Sequence, residues 1–147
     1  MKNILVIVGI IVILFAGSIW WSKIIQSSDP DVISRNGIHW HPILEIYIKG
    51  EKQEIPVNIG IGGQYTSLPM GMAPIHTHDD ANLGIVHLEF SSLVRKEDII
   101  LGQFFANWGR DINSFGQNVS MTINGVSNTE LGNYVMQDKD KIELRYE

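Results

Sequence analysis

The five histidines of this chain fall into three short clusters, and each cluster holds two potential metal ligands two residues apart. The clusters are His39-Trp40-His41, His76-Thr77-His78-Asp79 and His87-Leu88-Glu89. On a β-strand, side chains two residues apart project from the same face, so both members of a pair can approach one ion. Imidazole and carboxylate groups together suit zinc, copper(II), iron or nickel. The spacing therefore predicts a transition-metal site.

We predict six metal ligands, which are the five histidines and the glutamate of the third cluster: His39, His41, His76, His78, His87 and Glu89. Asp79 would point away from its neighbouring histidines, so we expect it either to assist as a hydrogen-bond acceptor or to be a turn residue. Glu45 shares the face of His39 and His41 if one strand continues through them, and it is expected to assist too. A single pair of such residues is often just part of the polar surface of a sheet. Three pairs that together include every histidine favour a metal-binding site.

Met70 and Met72 precede the second cluster and are expected to assist the site. Two thioethers in an exported protein favour copper(I), whereas the alternative is that they fill gaps in a loop. The chain has no cysteine, which excludes disulfides, a zinc ribbon and a thiol nucleophile. It also has no Gly-x-Ser-x-Gly elbow and no glycine-rich loop followed by a lysine. We therefore assign no catalytic residue.

An uncharged apolar run covers residues 3–22, between Lys2 and Lys23. About 20 such residues in a helix cross a hydrocarbon core of about 30 Å. Trp20 and Trp21 would lie at the interface. We predict a transmembrane anchor over residues 1–22 and a linker over residues 23–37. A cleaved signal peptide is the alternative, although bulky residues follow the small ones at 16–18. Both interpretations export the rest, so we expect a single-pass membrane protein whose C-terminal domain lies outside the cytoplasm.

Residues 38–147 are predicted to form one α+β domain, with a small mixed β-sheet and one packed helix. Strict alternation predicts a strand from residue 38, with a hairpin returning over residues 53–57, and further strands at 85–90, 119–123 and 142–146. Apolar residues at i, i+3, i+4 and i+7 predict a helix over residues 101–108, with Asp98 near its start and Gly109 at its end. The layout of the last third resembles the closing strands of β-grasp domains.

Four motifs occur in order along residues 38–109: HxH at 39–41, HTHD at 76–79, HxE at 87–89 and LGxFFxxWG at 101–109. This pattern resembles a family of exported or membrane-anchored archaeal and bacterial proteins that is mainly uncharacterised. The resemblance implies a fold and a site more than an activity. Some members carry a cysteine shortly before the HTHD motif. Met70 and Met72 stand in that region here, so the resemblance implies no thiolate-dependent role for this chain.

The predicted function is binding of copper or zinc as a carrier, buffer or sensor, because four or more protein ligands close a metal site. A carrier also implies a protein partner in metal delivery. One alternative is a metal-dependent hydrolase or hydratase, with three histidines on a metal-bound water and Glu89 as general base. Another is a membrane-tethered interaction module with pH-sensing histidines, which requires the histidines to lie apart or face solvent. With 11 basic against 16 acidic residues, no nucleic-acid partner is expected.

Overall fold

The computed structural model describes residues 2–27, 29–68 and 70–147, and the chain divides into two units, residues 1–31 and 32–147. Met1, Ser28 and Pro69 belong to the predicted anchor, linker and histidine loop respectively, and they lie outside the described residues.

The first unit consists mainly of helix α1 (Lys2–Ser27). Its residues Lys2–Ile24 are long and apolar enough to cross a membrane, and none of that stretch is buried. Length and composition fit a signal sequence as well as an anchor. The helix continues past residue 22, where the sequence predicted a linker. The first residues that disfavour a helix are Asp29 and Pro30. The residues at 23–25 (Lys, Ile and Ile) are compatible with a helix, so the helix continues through them.

Within the described part of residues 32–147, the chain forms ten strands and one α-helix, joined by loops and short 3₁₀ helices. These elements are β1 (Val32–Ser34), β2 (Ile38–Trp40), β3 (Ile43–Ile48), β4 (Glu51–Gln53), β5 (Ile75–His76), β6 (His87–Phe90), β7 (Val94–Arg95), α2 (Leu101–Asn107), β8 (Val119–Ile123), β9 (Val126–Asn128) and β10 (Lys141–Tyr146). The predicted α+β class is therefore confirmed.

The largest sheet has five strands in the order β4-β3-β10-β8-β9. Its central strands β3 and β10 are parallel, and the other neighbours are antiparallel, so the sheet is mixed as predicted. Alternate residues of the two central strands, such as Leu44, Ile46 and Leu144, are buried in the core. Asn124 and Gly125 both have positive φ and join β8 to β9 in the type of tight hairpin that their sequence predicts.

Helix α2 carries the apolar residues whose spacing predicted it. Leu101, Phe104 and Phe105 are buried, and the helix ends before Gly109, which has a φ of +72°. Asp98 lies in the preceding 3₁₀ helix, where its carboxylate accepts a hydrogen bond from the Arg95 N–H. The N-cap residue of α2 is therefore Ile100. Asp98 instead stabilises the 3₁₀ helix that precedes α2.

Three histidines, His39, His76 and His87, lie in a separate three-stranded sheet, in the order β2-β6-β5, and His41 and His78 lie just after two of its strands. The sequence predicted one continuous strand from residue 38, but β2 ends at Trp40 and β3 begins at Ile43. Pro42 has no N–H to give to a ladder, so the chain leaves the small sheet there and enters the large one. The return strand also lies earlier than the predicted 53–57: β4 covers Glu51–Gln53 and shares only Gln53 with that range.

The domain begins earlier than the predicted boundary at residue 38. Strand β1 pairs with β7 in a two-stranded sheet, and its Ile33 packs against the core. This strand has only three residues, and polar and turn-forming residues flank it on both sides. The alternation of apolar and polar residues therefore does not predict it. Residues 32–37 therefore belong to the folded unit rather than to a linker.

Candidate metal centre

The register of the small sheet brings the three histidine clusters to one face. His39 of β2 lies opposite Glu89 of β6, and His76 of β5 lies opposite His87 of β6. Directly opposed residues share a face of the sheet, as do residues two apart on one strand. The His41 ring, immediately after β2, lies 4.9 Å from the His87 ring, centre to centre. Segments almost 50 residues apart in sequence therefore meet here.

Four of the predicted ligands form the first group: His76, His78, His87 and Glu89. One ligand atom from each lies within 4.8 Å of all the others. The closest pair is His76 Nε2 and His78 Nε2, which are 3.1 Å apart. In a tetrahedral zinc site with Zn–N bonds of about 2.05 Å, two ligand nitrogens are about 3.3 Å apart. This pair therefore already has the separation that a shared ion requires.

Three histidines form a second group: His39, His41 and His87. Their ligand atoms also lie within 4.8 Å of one another. His87 belongs to both groups, and its ring lies 4.8 Å from that of His78 and 5.5 Å from that of His76. The structure thus brings all six predicted ligands together, but it divides them into two overlapping sets.

His76 is held in the neutral form that binds metals. Its Nδ1 lies 2.8 Å from the carbonyl oxygen of Ala73, a contact that requires Nδ1 to carry the proton and leaves the Nε2 lone pair facing the centre. Burial lowers the pKa of His76, and the neighbouring His78 and His87 lower it further. The hydrogen bond to Ala73 and the charge of Glu89 oppose this shift without reversing it.

His87 is oriented by a carboxylate that the sequence did not single out. Its Nε2 lies 3.1 Å from both oxygens of Asp80, so Nε2 carries the proton and donates it. In the neutral ring, the other nitrogen, Nδ1, offers a lone pair. It is buried and makes no hydrogen bond to any described residue, and Glu89 Oε1 lies 3.7 Å away. A buried nitrogen without a partner is unfavourable, and a metal ion would satisfy it.

The role predicted for Asp79 belongs to its neighbour. Asp79 is exposed and belongs to neither ligand group, whereas Asp80 makes the hydrogen bond to His87. After His78 the chain turns into a 3₁₀ helix, Asp79–Leu83. The extended backbone assumed in the prediction therefore ends at His78. The sequence does show two adjacent aspartates, Asp79 and Asp80. Which of them contacts His87 depends on the turn that follows His78.

The sequence predicted that Glu45 assists the centre, but its carboxylate contacts Tyr47, Lys52 and Lys141. The break at Pro42 places it on β3, where its carboxylate is 2.7 Å from Lys52 Nζ and 3.3 Å from Lys141 Nζ. The hydrogen bond from Lys52, together with that from Lys141, lowers the pKa of Glu45 despite its burial. Glu45 therefore stabilises the large sheet rather than the centre.

Thr77, between the two histidines of the second cluster, fixes that segment to the preceding loop. Its buried hydroxyl donates to the carbonyl of Pro56 at 2.8 Å and accepts from the N–H of Ile59 at 3.0 Å. Nearby, Gly60 has a φ of +74°, and a Cβ there would lie 2.6 Å from the Ile75 carbonyl oxygen. Only glycine allows this close approach, and sequence reasoning assigned neither residue a role.

The first histidine cluster is positioned by the loop before β10. Asp138 accepts a hydrogen bond from the His41 N–H at 3.0 Å, and the Asp140 carbonyl accepts one from the Ile43 N–H at 2.7 Å. The buried Asp140 carboxylate in turn accepts from the Tyr134 hydroxyl at 2.7 Å. The sequence marks residues 137–141 only as a charged turn, so this support was not predicted.

Met70 and Met72 line a cavity of about 150 Å³ that Glu89 also lines. Met70 is exposed and Met72 is half-buried. The remaining lining is mainly apolar, including Leu68, Pro74 and Phe90. The two methionines therefore lie next to a ligand of the centre.

No family model, curated protein or solved structure matches this chain. The family resemblance carried by the four motifs stays a prediction. The function must therefore be inferred from the chemistry of the site.

Proposed function

We propose that this protein is a membrane-anchored, extracytoplasmic binding protein for one zinc or copper ion, acting as a carrier, buffer or sensor. His76 Nε2, His78 Nε2, His87 Nδ1 and a Glu89 oxygen would hold the ion. One observation supports this most strongly: four ligand atoms, from strands β5 and β6 and the loop between them, lie within 4.8 Å of one another. The buried His87 Nδ1, which makes no hydrogen bond to any described residue, also supports it.

The donor set favours zinc or copper over calcium or magnesium. Three imidazoles and one carboxylate suit borderline transition metals, whereas hard cations require oxygen ligands. Four protein ligands also fill a tetrahedral shell, which is typical of binding sites without an open position for substrate. The hydrogen bonds from His76 to Ala73 and from His87 to Asp80 provide the outer support usual for histidine ligands.

Several other features support the proposed setting. The apolar helix α1 has the length of a membrane anchor, and the proposal places the domain that follows it outside the cytoplasm. A carrier in this position would exchange its ion with a partner protein. The strand order β4-β3-β10-β8-β9, with a central parallel pair, supports a β-grasp-like large sheet.

The test is metal content of the full chain, purified in detergent and equilibrated with zinc or copper. Wild-type protein should retain one ion at the first group after dialysis. The double variant His76→Ala/His78→Ala removes two ligands and should lose that ion, while Asp79→Asn, a nearby exposed carboxylate outside both groups, should keep it. Equal metal content in all three proteins would exclude the site.

Metal-dependent hydrolysis is a second candidate, favoured by the cavity beside Glu89. In this function Glu89 would be a general base, and a water would take the fourth metal position. Glu89→Gln separates the two functions. If Glu89 is a ligand, the variant should bind the metal more weakly. If Glu89 is a base, metal binding should persist while hydrolysis of an activated ester by the loaded protein is lost.

The geometry argues against pH sensing by separate histidines. That hypothesis requires the rings to lie apart or to face solvent, whereas His76 and His87 are buried and their rings stack 5.5 Å apart. The close packing of these rings favours a shared ion over separate pH sensors.

A further inference from the structure

The two ligand groups share one residue, His87, and this sharing limits how they can be filled. His87 Nε2 is committed to the two oxygens of Asp80. Only Nδ1 is then free to bind a metal, and a single lone pair binds one ion at a time. The two groups therefore describe two alternative positions for an ion rather than two sites that both use His87.

The two positions differ in their access to solvent. In the first group, which we call the inner site (His76, His78, His87 and Glu89), the His76 side chain is fully buried. In the second, which we call the outer site (His39, His41 and His87), the His39 side chain is 65% exposed. His41 is half-buried and lies between them, with its ring 4.7 Å from that of His39 and 4.9 Å from that of His87.

Glu89 connects the same two positions. Its Oε1 lies 3.1 Å from His39 Nε2 and 3.7 Å from His87 Nδ1. The ligand atoms thus form an unbroken series from the exposed His39 to the buried His76. An ion that moves along this series can exchange one ligand at a time, without losing all its protein ligands at once.

We infer that the outer site is a loading site, through which a zinc or copper ion enters and leaves the inner site. This inference rests on the proposed metal-binding function and adds a route to it. The exposed imidazole of His39 and the half-buried imidazole of His41 capture the ion together with His87. The ion then passes to His76, His78 and Glu89 while His87 remains bound. Such a route serves a carrier, because it speeds exchange without weakening the final site.

The experiment compares rates with occupancy in the full chain in detergent, with Zn²⁺ as the probe. Stopped-flow mixing with Zn²⁺ measures loading, and mixing the loaded protein with a chromophoric chelator measures release. In His39→Ala/His41→Ala, both rate constants should fall by about tenfold or more, because a path that accelerates entry also accelerates exit. Bound zinc at saturation should stay at one ion per chain. His39→Gln/His41→Gln keeps the surface polar and should behave in the same way.

Three results would overturn the loading route. Unchanged rates in both double variants would show that the outer histidines play no part in exchange. Two zinc ions per wild-type chain would show that the positions are filled together. An equal slowing in Asp79→Asn would show that local charge, rather than ligation, controls loading.

The same measurements separate this inference from the proposed function. If the wild type binds one ion that His76→Ala/His78→Ala loses, the inner site stands whatever the rates show. If the wild type retains no zinc or copper at all, the proposed function itself fails.

Discussion

His87 is the residue on which the centre depends, because each of its ring nitrogens has a separate task. Nε2 donates to Asp80, and Nδ1 faces the other ligands. The HxE spacing predicted His87 and Glu89 as ligands, since both alternate with core residues on one strand. The Asp80 contact could not be predicted in this way, because it depends on the turn that begins after His78.

Asp80→Asn should weaken metal binding by about 10- to 100-fold, because it removes the carboxylate that orients a histidine ligand. The amide cannot hold His87 in one tautomer as a carboxylate does. Titration calorimetry with Zn²⁺ measures the change. Asp79→Asn is the matched control and should bind as the wild type does. Equal affinities in the two variants would contradict the assignment of Asp80.

At the scale of elements, the small β2-β6-β5 sheet is short, and loops supply much of its support. Thr77 ties the His76 segment to the loop at Pro56 and Ile59, and Asp138 holds the backbone of His41. Pro42 is decisive for this arrangement. It ends the hydrogen-bond ladder of β2, and the chain then continues into the large sheet as β3. Without that break Glu45 would face the histidines, as the alternation alone predicts.

Thr77→Val should destabilise the domain by about 1–3 kcal/mol, because it keeps the side-chain shape but leaves the Ile59 N–H and the Pro56 carbonyl without their hydroxyl partner. Urea unfolding followed by circular dichroism measures the free energy. Thr77→Ser retains the hydroxyl and should lose much less. If serine and valine cost the same, the hydroxyl contributes little and packing explains the loss.

Glu45→Gln should destabilise the domain at pH 7 by about 0.5–1 kcal/mol, since the partner lysines are exposed to solvent. The pKa of Glu45 in the native protein lies below its ordinary value of 4.5. Folding therefore favours the ionised carboxylate, and this stabilisation is present above pH 4.5 and is lost as the pH falls through the native pKa. Urea unfolding at neutral and acidic pH should show the two proteins converging in acid. A constant difference would contradict the ion pairs as its cause.

At the scale of the whole molecule, the candidate metal centre brings together segments that are far apart in the sequence. Its ligands come from residues 39–41, 76–78 and 87–89, and residues 138 and 140 hold the first of these segments. The unfolded chain cannot present these ligands together, so an ion binds the folded state far more tightly. Under the proposed function, metal binding would therefore add to the stability of a domain that has no disulfide.

Zinc at 100 times its Kd should stabilise the domain by about 2.7 kcal/mol, and a chelator should remove that gain. Thermal unfolding of the full chain in detergent, followed by circular dichroism, should show the midpoint several degrees higher with zinc. His76→Ala/His78→Ala should unfold at the same temperature with and without zinc. A zinc effect of equal size in that variant would assign the stabilisation to another part of the protein.

The sequence by itself determined the local features. Alternation defined β6, β8 and β10, helical spacing defined α2, and the repeated HxH and HxE pairs identified the ligand types. These succeed because the side-chain period of a strand or helix is a property of neighbouring residues. Only the tertiary structure decided that the ligands form two sets sharing His87, that Asp80 rather than Asp79 orients it, and that Glu45 belongs elsewhere. Those outcomes depend on contacts such as His41 with Asp138, 97 residues apart, and spacing along a chain does not specify which distant segments will meet.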